Sequence, residues 1–290
     1  MNPAALDKFL WRTTKSAPIN PQTKIIETSK SRVRVRDTEG EKPAVVFFCD
    51  PPVMVEHYDD LIKIFSDTFR VVVLELTGCG FSKPKSAKAF EFSEVVLAAE
   101  DAIHKLKLGS VVLCGPCICG FVAAELARRG NLNIAGLILI QTPDAANMLA
   151  WFERTKKLLR IPYIGQIVVR ATSKHLINFW FRYATGKQTN YSDMSTRSLE
   201  VISKGGIYSL ATILQRWGKG LEDDAVEVPA LIFWGKQDRS HAPTDRASSL
   251  KHVPNAELIE FEHCGHFPEL EDPQEFAKIA KPFMDKCLYT

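Results

Sequence analysis

Nothing in the 290 residues approaches the roughly 18 uninterrupted apolar positions that a membrane-spanning helix needs, so none is expected. The first twenty residues lack a continuous apolar segment. Asp7, Lys8, Arg12 and Lys15 break them up, and no secretory signal is expected. Cysteine is scarce: seven residues, an odd number and too few for a disulfide framework in a chain this long. They read as reduced thiols in a cytoplasmic setting. Internal repeats and low-complexity segments are also missing. Acidic residues are lacking in one window, from Trp151 to Gly220, where only Glu153, Asp193 and Glu200 face twelve lysines and arginines. That window carries +9; since the whole chain carries +3, the remainder carries −6. What is present in quantity is ordinary. With 46% apolar and 24% charged residues the composition is that of a globular protein of one large domain or two small ones.

Two short alternating runs, 23–29 and 32–37, predict an N-terminal hairpin. Six apolar runs of strand length follow, at 44–49, 71–76, 111–115, 134–141, 230–235 and 257–262. Runs apolar on both faces suit strands of a parallel sheet covered by helices on both sides. Between them the period changes to helical. In 93–108, Val96, Ala99, Ile103 and Leu106 form one stripe after a Ser93 cap, and Pro273 opens a last helix over 273–287. The alternation predicts an α/β fold with a doubly wound, mostly parallel sheet. The roughly 85 residues before the strand at 230–235 are too many for a crossover and helical in pattern. They predict a helical lid over 144–228, inserted into a core made of 1–143 and 229–290.

The strand 111–115 runs straight into a helix through Gly115-Pro116-Cys117-Ile118-Cys119-Gly120. A sharp strand-to-helix turn of this kind exposes its middle side chain above the sheet edge, here Cys117. Asp238 follows a late strand in ALIFWGKQD, His266 lies in EHCGHFPELEDP, and LTGCGFSKP occupies 76–84. In these motifs and their order the chain resembles the α/β-hydrolase fold family over nearly its whole length. The resemblance implies a nucleophile, base and orienter: Cys117 attacks an acyl carbon, His266 takes the proton, and Asp238 fixes the His266 tautomer. Cysteine at this position also resembles dienelactone hydrolases and polyhydroxyalkanoate synthases, whose other motifs are not evident. Cys119 stands where the family prefers a second glycine, with Gly120 next to it.

The oxyanion-hole segment departs from the family. In FFCDPPVMVEHYDDL, Cys49 and Asp50 replace a histidine and a glycine. Pro51 stands at the residue whose backbone N–H supplies half of the hole, and proline has none. Ile118 N–H then remains as the donor, and losing one donor typically costs about 10²–10³ in rate. An unpaired Asp50 carboxylate would further disfavour a developing oxyanion.

Cys49, Cys79, Cys117, Cys119 and Cys264 all fall at the carboxyl ends of strands, but a C-x-C without a second pair is weak evidence for metal. No metal and no cofactor is expected. Cys49, Asp50, Cys119, Trp151, Trp180 and His241 are the expected pocket residues, with His263 a further candidate. The basic window suits docking to an anionic acyl carrier or an anionic membrane surface, and nucleic acid is not expected. The first reading is an enzyme acting on a hydrophobic ester or thioester through Cys117, by hydrolysis or acyl transfer. Two alternatives stay open because of the altered hole: a non-hydrolytic lyase, cyclase or cofactor-free biosynthetic enzyme, and a silent binding or scaffold protein. The sequence does not specify the oligomeric state.

Overall fold

A computed structural model describes residues 2–12 and 22–289. Lys15 of the N-terminal reading lies outside them. The strands are β1 Thr23–Glu27, β2 Ser31–Asp37, β3 Ala44–Cys49, β4 Arg70–Glu75, β5 Cys79–Gly80, β6 Lys83–Pro84, β7 Val111–Pro116, β8 Ile134–Ile140, β9 Ile207–Tyr208, β10 Ala230–Gly235 and β11 Glu257–Phe261. The main sheet runs β1-β2-β4-β3-β7-β8-β10-β11, with β6 paired to β2 and a separate β5–β9 pair. β1 and β2 form the expected antiparallel hairpin, Thr23 opposite Arg36. From β4 to β11 the pairing is parallel. Of the six runs predicted to be apolar on both faces, β3 and β7 are wholly inside and β4, β8 and β10 largely so, whereas the edge strand β11 is exposed or half-buried except at Phe261. A parallel sheet with helices on both faces leaves its central strands no solvent-facing side.

Helices cover the sheet. They are α1 Pro3–Leu10, α2 Asp59–Phe65, α3 Phe92–Leu106, α4 Ile118–Arg129, α5 Ala145–Arg154, α6 Lys157–Arg160, α7 Ile164–Ala184, α8 Tyr191–Ser203, α9 Leu210–Arg216, α10 Pro268–Glu271 and α11 Pro273–Tyr289. The cap of α3 is Glu91, with extended backbone, and not the expected Ser93. The apolar stripe requires Phe92 inside the helix, where it packs edge-on against Trp217. The segment between β8 and β10 forms α5 to α9. α1 docks on this inserted segment: Thr212 Oγ1 donates to Asp7 at 2.6 Å, and the Arg170 guanidinium lies 4.8 Å over the Trp11 ring.

The strand order reverses between β3 and β7, which are neighbours although β4 intervenes in sequence. The carboxyl ends at such a reversal open a crevice. Cys49 ends β3, with Asp50 and Pro51 after it, and Cys117 follows β7 directly. Topology therefore places the altered segment and the elbow face to face.

Candidate active site

Cys117 adopts φ +48°, ψ −121°, a conformation that non-glycine residues avoid, between the last residue of β7 and the first of α4. Its backbone is held on both sides: Cys117 N–H donates to Ile140 O at 2.7 Å, and Thr142 Oγ1 donates to Cys117 O at 3.0 Å. The turn is possible because two glycines let backbones approach. A Cβ on Gly115 would stand 2.7 Å from Gly120 Cα, and one on Gly120 would collide with Thr142. The close approach expected at Cys119 thus falls on Gly120. Cys119 is fully buried and its thiol points to Cys49 O at 3.4 Å.

Asp238 and His266 come from the loops after β10 and β11. His266 Nδ1 lies 2.6 Å from Asp238 Oδ2, with both side chains fully buried. The carboxylate is saturated. Oδ2 also accepts from Gln141 Nε2 at 3.0 Å, and Oδ1 accepts from Ser240 N–H and O–H at 2.8 and 2.7 Å. Burial alone would raise Asp238, but His266 and these donors hold it at about 2. Burial disfavours a charged His266, and the facing Asp238 outweighs it, so the imidazole lies well above its ordinary value. The loop is clamped from outside. Glu271 accepts from Gly265 N–H, Phe267 N–H, Gly186 N–H and Thr189 O–H, tying it to the residues after α7.

Cys117 Sγ and one ring nitrogen each of His241 and His266 all lie within 4.8 Å of one another. The sulfur is 3.9 Å from His241 Nε2, and the two imidazole rings stack at 5.3 Å. Burial lowers His241 to about 3, so it is a neutral ring. Burial pushes the Cys117 thiol up to about 11, with Asp50 acting in the same sense and His266 opposing.

This constellation, on this sheet, has relatives. The sequence pattern of the alpha/beta hydrolase fold matches residues 54–273. The chain belongs to the α/β-hydrolase fold family. It is 25% identical over 255 residues to a pimeloyl-[acyl-carrier protein] methyl ester esterase of Nitrosomonas europaea, covering 83% of this chain and 95% of that one. It is 30% identical over 270 residues to monoacylglycerol lipase ABHD6 of Bos taurus, covering 86% and 77%. Among solved structures, epoxide hydrolase A of Mycobacterium thermoresistibile superposes with TM-score 0.75 at 14% identity, covering 90% and 97%. The chain is an enzyme of this family.

Beside the elbow of this α/β-hydrolase lies a cavity of about 910 Å³. Asp50, Trp151 and Trp180, three of the expected pocket residues, are on its wall together with Pro51, Cys117 and Ile118. Four pocket expectations are corrected. Cys49 and Cys119 are fully buried behind the wall, because Cys49 completes β3 and the Cys119 thiol turns back onto it. His263 is turned outward and pairs with Asp272 at 2.8 Å. His241 does not form the cavity wall; it touches the sulfur from behind, stacked against Trp151 at 5.9 Å. Asp50 is also not unpaired. Its Oδ2 lies 3.4 Å from His266 Nε2, and both His266 and the Ile118 amide favour its charged form. Burial raises Asp50, against the pull of His266 and that amide. Sequence reasoning missed Gln141 and Ser240 as holders of Asp238. Ser240, two residues after Asp238, carried a local signal; Gln141, 97 residues earlier, carried none.

The helices of the inserted segment supply most of the cavity wall. Met148, Phe152, Leu159, Leu176, Phe179 and Leu214 make it apolar, while Arg154, Lys156 and Arg239 add positive charge. Leu158, Ile164, Ile167 and Phe179 are exposed on the same segment. Among the described residues no helix is long and apolar enough to cross a membrane.

Proposed function

We propose that this enzyme cleaves or transfers the acyl group of a hydrophobic ester or thioester through Cys117, working in a cytoplasmic setting under a lid formed by residues 144–228. The observation that carries this reading is the strained Cys117, whose sulfur stands between the cavity and the His266–Asp238 pair. His266 Nε2 takes the thiol proton as sulfur attacks the acyl carbon. The C–S bond forms, and the imidazolium returns its proton to the departing oxygen or sulfur. Water, or a second acceptor activated by the same Nε2, then releases the acyl group. Asp238, held by Gln141 and Ser240, keeps Nδ1–H fixed throughout.

Two donors serve the developing oxyanion. One is Ile118 N–H, which favours the charged Asp50 carboxylate in the resting site and turns to the oxyanion once that carboxyl carries a proton; the other is Asp50 in its acid form, in place of the N–H that Pro51 lacks. Burial favours that form, and a carboxylic acid kept neutral in an apolar site can donate a hydrogen bond. His266, held above its ordinary value by Asp238, acts as base once its Nε2 has released its proton. The apolar wall fits an acyl chain, and Arg154, Lys156 and Arg239 fit an anionic carrier or headgroup at its far end. The pimeloyl-[acyl-carrier protein] methyl ester esterase and monoacylglycerol lipase relatives agree with this class of substrate. A second reading, non-hydrolytic proton-transfer chemistry, is favoured by the Asp50–His266 proximity, since an acid–base group on the cavity wall is then backed by a second one without need of a nucleophile.

Iodoacetamide labelling followed by peptide mapping tests the first reading. Cys117 is expected to react faster than Cys114 or Cys287, and His266→Ala is expected to slow Cys117 alone. Equal rates at all three thiols would remove the nucleophile assignment.

A further inference from the structure

Three side chains at the elbow are arranged as metal ligands are. Cys117 Sγ and one ring nitrogen each of His241 and His266 converge within 4.8 Å, all three residues are buried, and with His266 Nδ1 engaged by Asp238 the free nitrogen of that ring is Nε2. Each ring turns its other nitrogen to an orienting partner. His266 Nδ1 faces Asp238 Oδ2 at 2.6 Å, and His241 Nδ1 faces Thr244 Oγ1 at 3.2 Å. Metal-binding histidines characteristically use their second nitrogen in this way, which fixes tautomer and ring direction. His266 Nε2 makes no hydrogen bond among the described residues; Asp50 Oδ2 stands 3.4 Å away without hydrogen-bond alignment. Aromatic packing holds both rings: Trp151 stacks on His241 at 5.9 Å, and Trp180 meets His266 edge-on at 5.2 Å.

The spacing fits zinc. Bond lengths of about 2.3 Å to sulfur and 2.0–2.1 Å to nitrogen in a tetrahedron put the S and N ligands about 3.6 Å apart. The observed separation of Sγ and His241 Nε2 is 3.9 Å, so a small closing movement suffices. Cys117 also lies on the cavity wall, which supplies an entry path.

We propose that Cys117, His241 and His266 form a three-ligand site for a thiophilic divalent cation such as Zn²⁺, with a cavity water in the fourth position. On binding, the Cys117 thiol and the His266 Nε2 each give up a proton to solvent, so that sulfur ligates as thiolate and the imidazole as a neutral ring. Metal occupancy and acyl chemistry are then mutually exclusive, because one ion holds both the nucleophile and the base. That consequence rests on the reading of Cys117 as nucleophile; binding itself does not.

The test uses the full chain with ZnCl₂ and CoCl₂. One equivalent of Co²⁺ is expected to give the visible bands of a tetrahedral ion together with a thiolate charge-transfer band, and Zn²⁺ is expected to bleach both. Zn²⁺ is expected to protect Cys117 from iodoacetamide, and a chelator to restore labelling. His241→Ala is expected to weaken Zn²⁺ binding at least about tenfold, measured by competition with a chromogenic chelator. Prior alkylation of Cys117 in the unaltered protein, which changes no residue, is expected to abolish the thiolate band. The site is overturned if no cobalt–thiolate band forms. It is equally overturned if the band survives alkylation of Cys117, which would place the ion on another thiol. The two readings separate cleanly. Acylation of Cys117 without zinc protection removes the metal site and keeps the proposed function. Zinc protection without acylation does the reverse.

Discussion

Asp50 Oδ2 lies 3.4 Å from His266 Nε2, on the side of the imidazole opposite the 2.6 Å contact with Asp238. A single ring therefore stands between two carboxyl groups, one saturated with donors and one facing the cavity. Burial acts on both, yet only Asp238 has enough donors to be held at about 2; Asp50 is raised. The difference in hydrogen bonding separates their roles. Asp238 stays ionised and orients, whereas Asp50 can carry a proton.

Asp50 is expected to act as a neutral donor to the acyl oxygen. Asp50→Asn keeps a donor of similar size and is expected to retain the Cys117 acylation rate within about tenfold. Asp50→Ala removes it and is expected to lose about 10²–10³, the usual worth of one oxyanion donor. Stopped-flow measurement of acyl-enzyme formation with an activated ester checks this. Faster acylation in both variants would mean that a charged Asp50 obstructs the hole.

Glu269 gives a pH prediction. Its side chain is fully buried and both carboxyl oxygens lack a hydrogen-bond partner among the described residues. Burial pushes it up to about 8 from an ordinary 4.5. The folded state thus holds a proton that the unfolded chain has released. The stability this contributes is complete below 4.5 and is lost as pH rises toward and through about 8. The slope is at most about 1.4 kcal/mol per pH unit. Glu269→Gln removes the dependence. Urea midpoints of the unaltered protein are expected to fall relative to those of Glu269→Gln between about pH 5 and 8.5. Parallel midpoint curves would refute an unpaired buried carboxyl.

The inserted segment is expected to meet an anionic surface. Ile167 and Phe179 are 54% and 51% exposed on the same segment that carries the excess of lysine and arginine. Apolar side chains among basic ones suit interfacial binding. Changing Lys156, Lys157 and Arg160 to Glu alters the charge by six units away from Cys117, His266 and Asp238. Co-sedimentation with phosphatidylserine vesicles, and binding of an acyl carrier protein, are both expected to weaken. Salt is expected to weaken them further, as the Debye length falls from about 10 Å at 0.1 M to about 3 Å at 1 M. If the unaltered protein binds neither at low salt, the charge serves solvation only.

Local pattern made the sheet legible and could not reach the contacts across it. The run 230–235 is β10 residue for residue, and 111–115 falls one residue short of β7, because runs apolar on both faces have one burial solution in a covered parallel sheet. Cys117, Asp238 and His266 were visible because each sits in a short motif tied to one turn. The pairing of Asp50 was not, since it depends on how the end of β3 meets the elbow and the loop after β11. Cys49 and Cys119 misled for a related reason. Their positions at strand ends suggested a cavity wall, but the turn directs the Cys119 thiol inward onto Cys49 O. The role of Gln141 in holding Asp238 spans 97 residues and leaves no trace in either local sequence.

The central claim is that Cys117 carries the acyl group. Intact-mass spectrometry after exposure to a series of medium- and long-chain acyl thioesters and activated esters measures this directly. The account predicts one acyl adduct per chain, mapped to Cys117, slowed in His266→Ala and absent in Cys117→Ala. A folded enzyme that turns over any of these substrates with no adduct, and with undiminished activity in Cys117→Ala, would contradict it.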